Sequence, residues 1–148
     1  MRPHIHDNYL EAEVLSADPL KLVCLLYRGA LSAIETARGR LAAGDIHGRS
    51  RAITKAHRIV SELSLSLDRN KGQDLSKQLV ELYDYIQRLL LDANIKQSEK
   101  PMIEAARLLE TLLEGWEGCA AAAAPPVRPT RARNHYSAEE YEPICLAG

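Results

Sequence analysis

The segment from residue 17 to residue 43 constrains the fold most, because its periodicity is that of one amphipathic helix with two apolar faces. Asp18 and Pro19 favour a helix start, since aspartate can accept hydrogen bonds from free backbone N–H groups and proline suits the first helical position. Gly44 favours the helix end. Spacings of three and four residues define a long stripe that we expect to face a core: Leu20, Val23, Tyr27, Ala30, Ile34, Ala37 and Leu41.

A second apolar stripe lies roughly 120° around the same helix. We call it the short stripe, and it consists of Leu22, Leu26, Gly29 and Ala33. Because Gly29 and Ala33 carry almost no side chain, another helix, of this chain or of a partner, can approach closely there. The short stripe is therefore predicted to bind a partner.

Three further segments also have helical periodicity. Asp45, Asp74 and Ser98 mark their expected starts, because these residue types cap helices. Their inward stripes are Ile53, Ala56, Val60, Leu63 and Leu67, then Leu75, Leu79, Leu82, Ile86, Leu89 and Ala93, then Met102, Ala105, Leu109, Leu112, Leu113 and Trp116.

Extra apolar residues widen two of these inward stripes. They are Ala52 and Ile59 in the second helix, and Val80, Tyr83 and Leu90 in the third. We predict that Ala52, Ile59, Val80 and Tyr83 contribute to partner binding. The alternative is that these two helices are central and apolar all round.

These patterns predict an all-α fold, an antiparallel four-helix bundle with a short N-terminal helix and a disordered C-terminal tail. The long helices are expected to begin near Pro19, Ile46, Leu75 and Pro101. The predicted regions are an N-terminal arm at 1–17, a bundle at 18–119 and an alanine- and proline-rich tail at 120–148. The tail is too poor in apolar residues to order itself by burial.

Bulk charge limits the classes of partner. The net charge of −1 provides no field that would attract nucleic acid or an anionic membrane. Arg51, Lys55 and Arg58 form a basic row on one helix face, which we interpret as solvated surface. No apolar run approaches the ~20 residues that a membrane-spanning helix needs, so we expect a cytoplasmic protein without membrane insertion.

The sequence contains no recognisable catalytic or metal site. Its three cysteines are far apart and suggest neither a disulfide framework nor a zinc cluster. His4 and His6 belong to the predicted arm, where we interpret them as a solvated terminus. No phosphate-binding loop, nucleophile elbow or paired metal-ligand motif is present. We therefore expect no enzyme, no cofactor and no bound metal.

An ordered set of motifs between Tyr9 and Trp116 resembles the flagellar secretion chaperone FliS family. In the first helix the motifs are Asp18-Pro19-Leu20-Lys21-Leu22-Val23 and Leu25-Leu26-Tyr27-Arg28-Gly29-Ala30. They continue through Gly44-Asp45, Lys55-Ala56, Ile59-Val60, Glu62-Leu63, Ser66-Leu67-Asp68, Leu82-Tyr83-Asp84-Tyr85, Leu89, Ala93-Asn94 and Lys96.

The resemblance implies a cytosolic bundle that binds the disordered C-terminal segment of flagellin, prevents its premature polymerisation and keeps it competent for export. Components of the flagellar export apparatus are further candidate partners. Tyr9 is the residue expected to cover the groove when no client is bound. Two alternatives use the same apolar stripes: a structural bundle that forms a homodimer, and a regulatory bundle that binds a regulator. As a chaperone, the protein is expected to be a monomer or a weak homodimer.

Overall fold

The computed structural model describes residues 19–67 and 72–123. Within those ranges it consists of four α-helices and contains no strand, which confirms the all-α prediction. The helices are α1 (Pro19–Ala42), α2 (Ile46–Leu65), α3 (Gln73–Lys96) and α4 (Lys100–Ala123). The predicted helix near Tyr9, the predicted cap at Asp18 and the chain beyond residue 123 lie outside the described residues.

Contacts between side chains show that α1 and α4 are antiparallel. Near the end of α1, the Arg38 Nε donates a hydrogen bond of 2.8 Å to Glu99, which immediately precedes α4. In the first half of α1, Arg28 pairs with Glu117 in the last part of α4. Because the residue number rises along one helix as it falls along the other, the two helices run in opposite directions.

The same reasoning shows that α2 and α3 are antiparallel. The Ser50 hydroxyl, in the first turns of α2, donates to Asn94 Oδ1 near the end of α3 at 3.2 Å. Farther along α2, Ser61 accepts a hydrogen bond of 2.7 Å from Gln87. Each helix packs mainly on its neighbours in the order α1, α2, α3, α4 and back to α1, which is the arrangement of an up-and-down four-helix bundle.

The turn between α1 and α2 forms as its residue types predict. Gly44 adopts a φ of +75°, a conformation that costs glycine little. Asp45 then caps α2, because its carboxylate accepts a hydrogen bond of 2.9 Å from the Gly48 backbone N–H. Gly48 has no side chain, which leaves space for that carboxylate. This short turn makes α1 and α2 adjacent antiparallel helices.

The long stripe of α1 faces the core, as predicted. Tyr27, Ala30, Ile34 and Ala37 are buried, and the remaining members are partly buried against the core. The predicted inward residues of the other helices are also buried or packed on the core, including Ile53, Val60, Leu79, Ile86, Met102, Leu109 and Trp116.

Three aromatic residues meet inside this core and join three helices. The indole N–H of Trp116 on α4 donates a hydrogen bond of 3.0 Å to the Tyr27 hydroxyl on α1. The Tyr27 and Tyr83 hydroxyl oxygens are 2.5 Å apart, and Tyr83 belongs to α3. Burial raises the pKa of both phenols above the ordinary value. We call these three residues the aromatic triad.

The triad corrects the predicted position of Tyr83. The sequence pattern placed Tyr83 and Leu90 on an apolar arc beside the inward stripe and offered Tyr83 for partner binding. Tyr83 is instead 1% and Leu90 0% exposed, as expected from the alternative of a central helix. A heptad that passes through Leu79, Tyr83, Ile86 and Leu90 faces inward, and the Tyr83 hydroxyl is compatible with burial because Tyr27 pairs with it.

Two helix ends also differ from expectation. Asp74 does not cap α3, since the helix begins at Gln73, two residues before the expected start at Leu75. It follows Gly72, which has a left-handed conformation and provides no side-chain cap. Asp74 instead lies in the first turn, where a carboxylate interacts favourably with the helix dipole. At the same end of the bundle α4 continues to Ala123, because alanine is the strongest helix former. The sequence allowed this helix to end near Gly118 or in the alanines. Residues 120–123, which were counted with the tail, are helical.

Removing the central hydroxyl of the triad should destabilise the bundle more than removing the peripheral one. Tyr27→Phe leaves the Trp116 N–H buried without an acceptor, at a cost of about 1 to 3 kcal/mol. Tyr83→Phe keeps the Trp116–Tyr27 bond and should cost less. Urea unfolding of both variants measures the difference. Equal losses of stability, or a larger loss for Tyr83→Phe, would contradict the arrangement in which the Tyr27 hydroxyl is shared by Trp116 and Tyr83.

The raised pKa values of Tyr27 and Tyr83 predict loss of stability in alkali. Near pH 10 and above, these phenols ionise in the unfolded chain but stay protonated in the folded one. The folded state then binds more protons, so the free energy of unfolding falls as the pH rises. Below pH 10 both states are protonated and the effect disappears.

A spectroscopic titration can test this pH dependence. Phenolate absorbance and helical circular dichroism, followed together, should show two of the six tyrosines ionising only as helix is lost. Tyr85 is exposed, and its hydrogen bond to Glu104 also raises its pKa, but its ionisation does not require loss of helix. It is therefore the control, because Tyr85→Phe should leave unchanged the fraction that ionises together with helix loss. Complete ionisation of every tyrosine while the helices persist would refute the prediction.

Candidate functional site

Two residues of the short stripe, Gly29 and Ala33, face α2 of the same chain. A Cβ atom placed on Gly29 would lie 3.4 Å from Ile59 Cδ1, so Gly29 lies directly beside Ile59 of α2. Ala33 and Ala52 are 4% and 8% exposed and line a common cleft between them. The structure therefore brings together four predicted partner-binding residues, in what we call the α1–α2 seam.

The seam has an apolar half near the start of α1. Leu22 and Leu26 are half-buried, and Leu26 packs partly on the core. Ile59, also half-buried, lies opposite Gly29 at the boundary of this half. Part of each of these side chains is therefore exposed and provides aliphatic surface outside the core.

The other half of the seam is polar and forms an open cleft of about 330 Å³. Ala33, Gly48 and Ala52 are its small-residue lining, while Ser32 and Thr36 contribute hydroxyl groups from α1. Its charged residues are Arg40, Asp45, Arg51 and Lys55. Arg40 pairs with Asp45 at 3.6 Å, whereas Arg51 and Lys55 form no ion pair within residues 19–67 and 72–123. We call this region the basic cleft.

The remaining predicted residues lie elsewhere. Val80 is half-buried on α3, where it lines a small cavity of about 170 Å³ with Gln73, Ser76 and Lys77. Tyr83 belongs to the aromatic triad and not to the seam. Tyr9 lies outside the described residues, so its predicted covering of a groove stays a prediction.

Sequence periodicity missed the most exposed aliphatic side chains. Ile46, Leu65, Leu91 and Ile95 are 59%, 75%, 49% and 78% exposed. None of them belongs to a repeating stripe, and each has a polar neighbour in the sequence. Their absence from the stripes was therefore the only sequence signal of their exposure. Leu65 ends α2 and Val80 lies in the first half of α3. Because α2 and α3 are antiparallel, both lie toward the end of the bundle where α1 begins.

A buried arginine was also missed. Arg49 is 5% exposed, and its Nε donates a hydrogen bond of 3.0 Å to Asn94 Oδ1 at the end of α3. Its guanidinium also donates to the Asn94 backbone carbonyl at 3.5 Å. A cation next to the last carbonyls of a helix is favourable. Arg49 therefore fixes the start of α2 against the end of α3, which is a structural role.

Metal clusters and membrane-spanning helices are absent from the described part of the chain. No group of three or more histidine, cysteine or acidic residues there could hold a metal ion. None of the four helices combines the length and apolarity required to cross a bilayer. The seam thus offers apolar contacts in one half and charged contacts in the other.

Comparisons with known proteins identify similar chains. The family model described as "Flagellar protein FliS" matches residues 1–123. The chain is 38% identical over 109 residues to the flagellar secretion chaperone FliS of Salmonella typhimurium, covering 73% of this chain and 81% of that protein. It is 33% identical over 109 residues to the flagellar secretion chaperone FliSB of Pseudomonas aeruginosa, covering 74% and 86%.

A further relative is the flagellar secretion chaperone FliS of Escherichia coli K12. It is 30% identical to this chain over 109 residues, which is 73% of this chain and 80% of that protein. All three similarities therefore extend over most of both proteins.

The close approach at Gly29 can be measured with a matched pair of substitutions. Gly39 is exposed on the same helix and a Cβ there would contact nothing within 4 Å, so Gly39→Ala should report helix propensity alone, about 1 kcal/mol of stabilisation. Gly29→Ala should gain a similar amount, because 3.4 Å from Ile59 is an ordinary contact. Thermal or urea unfolding compares the two.

An Ile59→Ala background checks that Gly29 and Ile59 are in contact. The effect of Gly29→Ala should change in that background while the effect of Gly39→Ala stays the same. Destabilisation by Gly29→Ala would show that α1 and α2 are closer than described.

Proposed function

Since the chain belongs to the FliS family, we propose that it is a cytoplasmic export chaperone for flagellin. It binds the disordered C-terminal segment of flagellin, prevents premature polymerisation and keeps the subunit competent for flagellar type III export. The relatives' shared name, flagellar secretion chaperone, supports this class of function, and the family is one of chaperones, not of enzymes. Components of the export apparatus are proposed as further partners.

The observation that carries the proposal is the apolar half of the α1–α2 seam. Leu22 and Leu26 stay partly exposed beside Gly29 and Ile59. An amphipathic helix formed by the client can lay its apolar face against such a surface, with anchors at intervals of three and four residues. Binding of this kind requires aliphatic area and no chemistry.

Energetics indicate that the client extends beyond the seam. Ordering a disordered segment costs roughly 2 to 5 kcal/mol or more. Full burial of a leucine contributes about 1.5 to 3 kcal/mol, and Leu22 and Leu26 are already half-buried, so each can contribute only part of that. A second aliphatic surface is needed, and Leu65 with Val80 lies toward the same end of the bundle. We propose that the client contacts both surfaces.

A charge on the apolar half should abolish binding without unfolding the bundle. Leu26→Asp places a carboxylate on a half-exposed position, where it can stay hydrated in the free protein but opposes burial under the client. We expect a folded variant that no longer binds a flagellin C-terminal peptide. Titration calorimetry measures the binding, and circular dichroism measures the fold.

A core truncation provides the control. Ile34 is 1% exposed, so Ile34→Ala should cost about 2 to 5 kcal/mol of stability. This variant should melt earlier yet bind the peptide when folded at low temperature. Unfolding of Leu26→Asp would assign Leu26 to the core, and unchanged binding by a folded Leu26→Asp would place the client elsewhere.

A further inference from the structure

The basic row on α2 has no partner in the described structure. Arg51, Lys55 and Arg58 are exposed and form no ion pair within residues 19–67 and 72–123. The whole of α2 contains four arginine or lysine residues and a single acidic residue, Glu62. This concentration of positive charge contrasts with the net charge of −1 for the chain. The compensating negative charge must therefore lie elsewhere in the same chain.

The shape of the basic cleft fits a carboxylate-bearing segment. Arg51 and Lys55 border a cavity of about 330 Å³ that also exposes the Ser32 and Thr36 hydroxyls. Guanidinium, ammonium and hydroxyl groups all donate hydrogen bonds that carboxylate oxygens accept. Because Ala33 and Ala52 have small side chains, an approaching acidic chain meets no steric obstacle at the seam.

The C-terminal segment contains a matching acidic block. The C-terminal segment comprises residues 124–148 and contains no lysine. Glu139, Glu140 and Glu142 are three carboxylates within four of its residues. An arginine block, formed by Arg128, Arg131 and Arg133, precedes them. Along the segment, positive charge therefore comes first and negative charge second.

The surface of the bundle carries charges in a complementary order. The helix that leads into the segment, α4, exposes Glu110 and Glu114, which could attract the arginine block. The basic row lies on α2, diagonally across the bundle from α4, and is available to the acidic block. The order of charges along the segment thus agrees with a path that leaves α4 and ends at α2.

The segment is long enough to reach the basic cleft. Glu139 is sixteen residues beyond Ala123, and an extended chain spans up to about 3.3 to 3.6 Å per residue, or roughly 53 to 58 Å here. The Arg28–Glu117 pair places the end of α4 near the start of α1. From the start of α1 to Thr36 is about 26 Å along the helix at 1.5 Å per residue, so the span is sufficient even with a detour around α1.

We propose that the acidic block Glu139–Glu142 binds the basic cleft and the adjacent basic row of the same chain. The tether gives the block an effective concentration in about the millimolar range, which favours contacts that would be weak between separate molecules. Exposed ion pairs add little to folding stability. The contact is therefore compatible with a segment whose composition cannot order it by burial. Because the contact changes folding stability little, a proximity measurement is needed to detect it. It does not depend on the proposed client.

Zero-length cross-linking tests this contact in the full-length protein. A carbodiimide joins a lysine amine to a carboxylate only when the two groups approach each other directly, and mass spectrometry locates the link. We expect Lys55 to link to the Glu139–Glu142 block several-fold more than Lys77 does. Lys77 is a demanding control, because it is exposed near the start of α3, toward the end of the bundle where α4 ends.

A double variant separates docking from random collision. Arg51→Ala together with Arg58→Ala keeps the Lys55 amine but removes two neighbouring charges, so most of the Lys55 link should be lost while the helices persist. Salt near 1 M, where the Debye length is about 3 Å, should have the same effect.

Four results would overturn the proposal. Equal yields at Lys55 and Lys77 would indicate random collision. Links found only in dimers would identify a second copy as the occupant, and links from Lys55 to Asp7 or Glu11 would identify the N-terminal arm. A yield unaffected by the double variant would show that the basic row does not attract the block.

Discussion

The absence of phenylalanine is the constraint on which this bundle depends. Without it, every large ring in the core carries a polar group, and a buried polar group needs a partner. The aromatic triad meets that need internally: the Trp116 N–H and the Tyr83 hydroxyl both pair with the Tyr27 hydroxyl. Because hydrogen bonds tolerate little displacement, the triad fixes the relative positions of α1, α3 and α4 more strictly than aliphatic packing alone would.

Side-chain size along α1 explains how α2 completes the bundle. Gly29 and Ala33 allow α2 to pack closely, and the buried Arg49 fixes the start of α2 to Asn94 on α3. With the helices held by small residues in the middle of the seam, larger residues on either side remain partly exposed. The seam therefore becomes aliphatic toward the start of α1 and basic toward its end.

The sequence predicted the helices well because their signals are local. Pro19, Gly44 and Asp45 determine ends through backbone conformation and capping, and the long stripe determined the buried face of α1. It predicted the seam in part: Gly29 and Ala33 indicated a close neighbour, but periodicity could not decide whether that neighbour was α2 or another protein. Tyr83 was misplaced because two overlapping heptads on α3 share Leu79 and Ile86. Only pairing with Tyr27, a contact across the bundle, selects between them.

The position of Trp116 gives the protein a built-in fluorescent reporter. It is the single tryptophan, it is 5% exposed, and it lies on α4, whereas the seam is formed by α1 and α2. Indole emission depends on the polarity around the ring and on its hydrogen bonding, so it responds to separation of α4 from α1. A ligand that covers only the outside of the seam leaves that environment intact. The emission wavelength of Trp116 therefore reports whether α4 separates from α1, independently of whether a ligand occupies the seam.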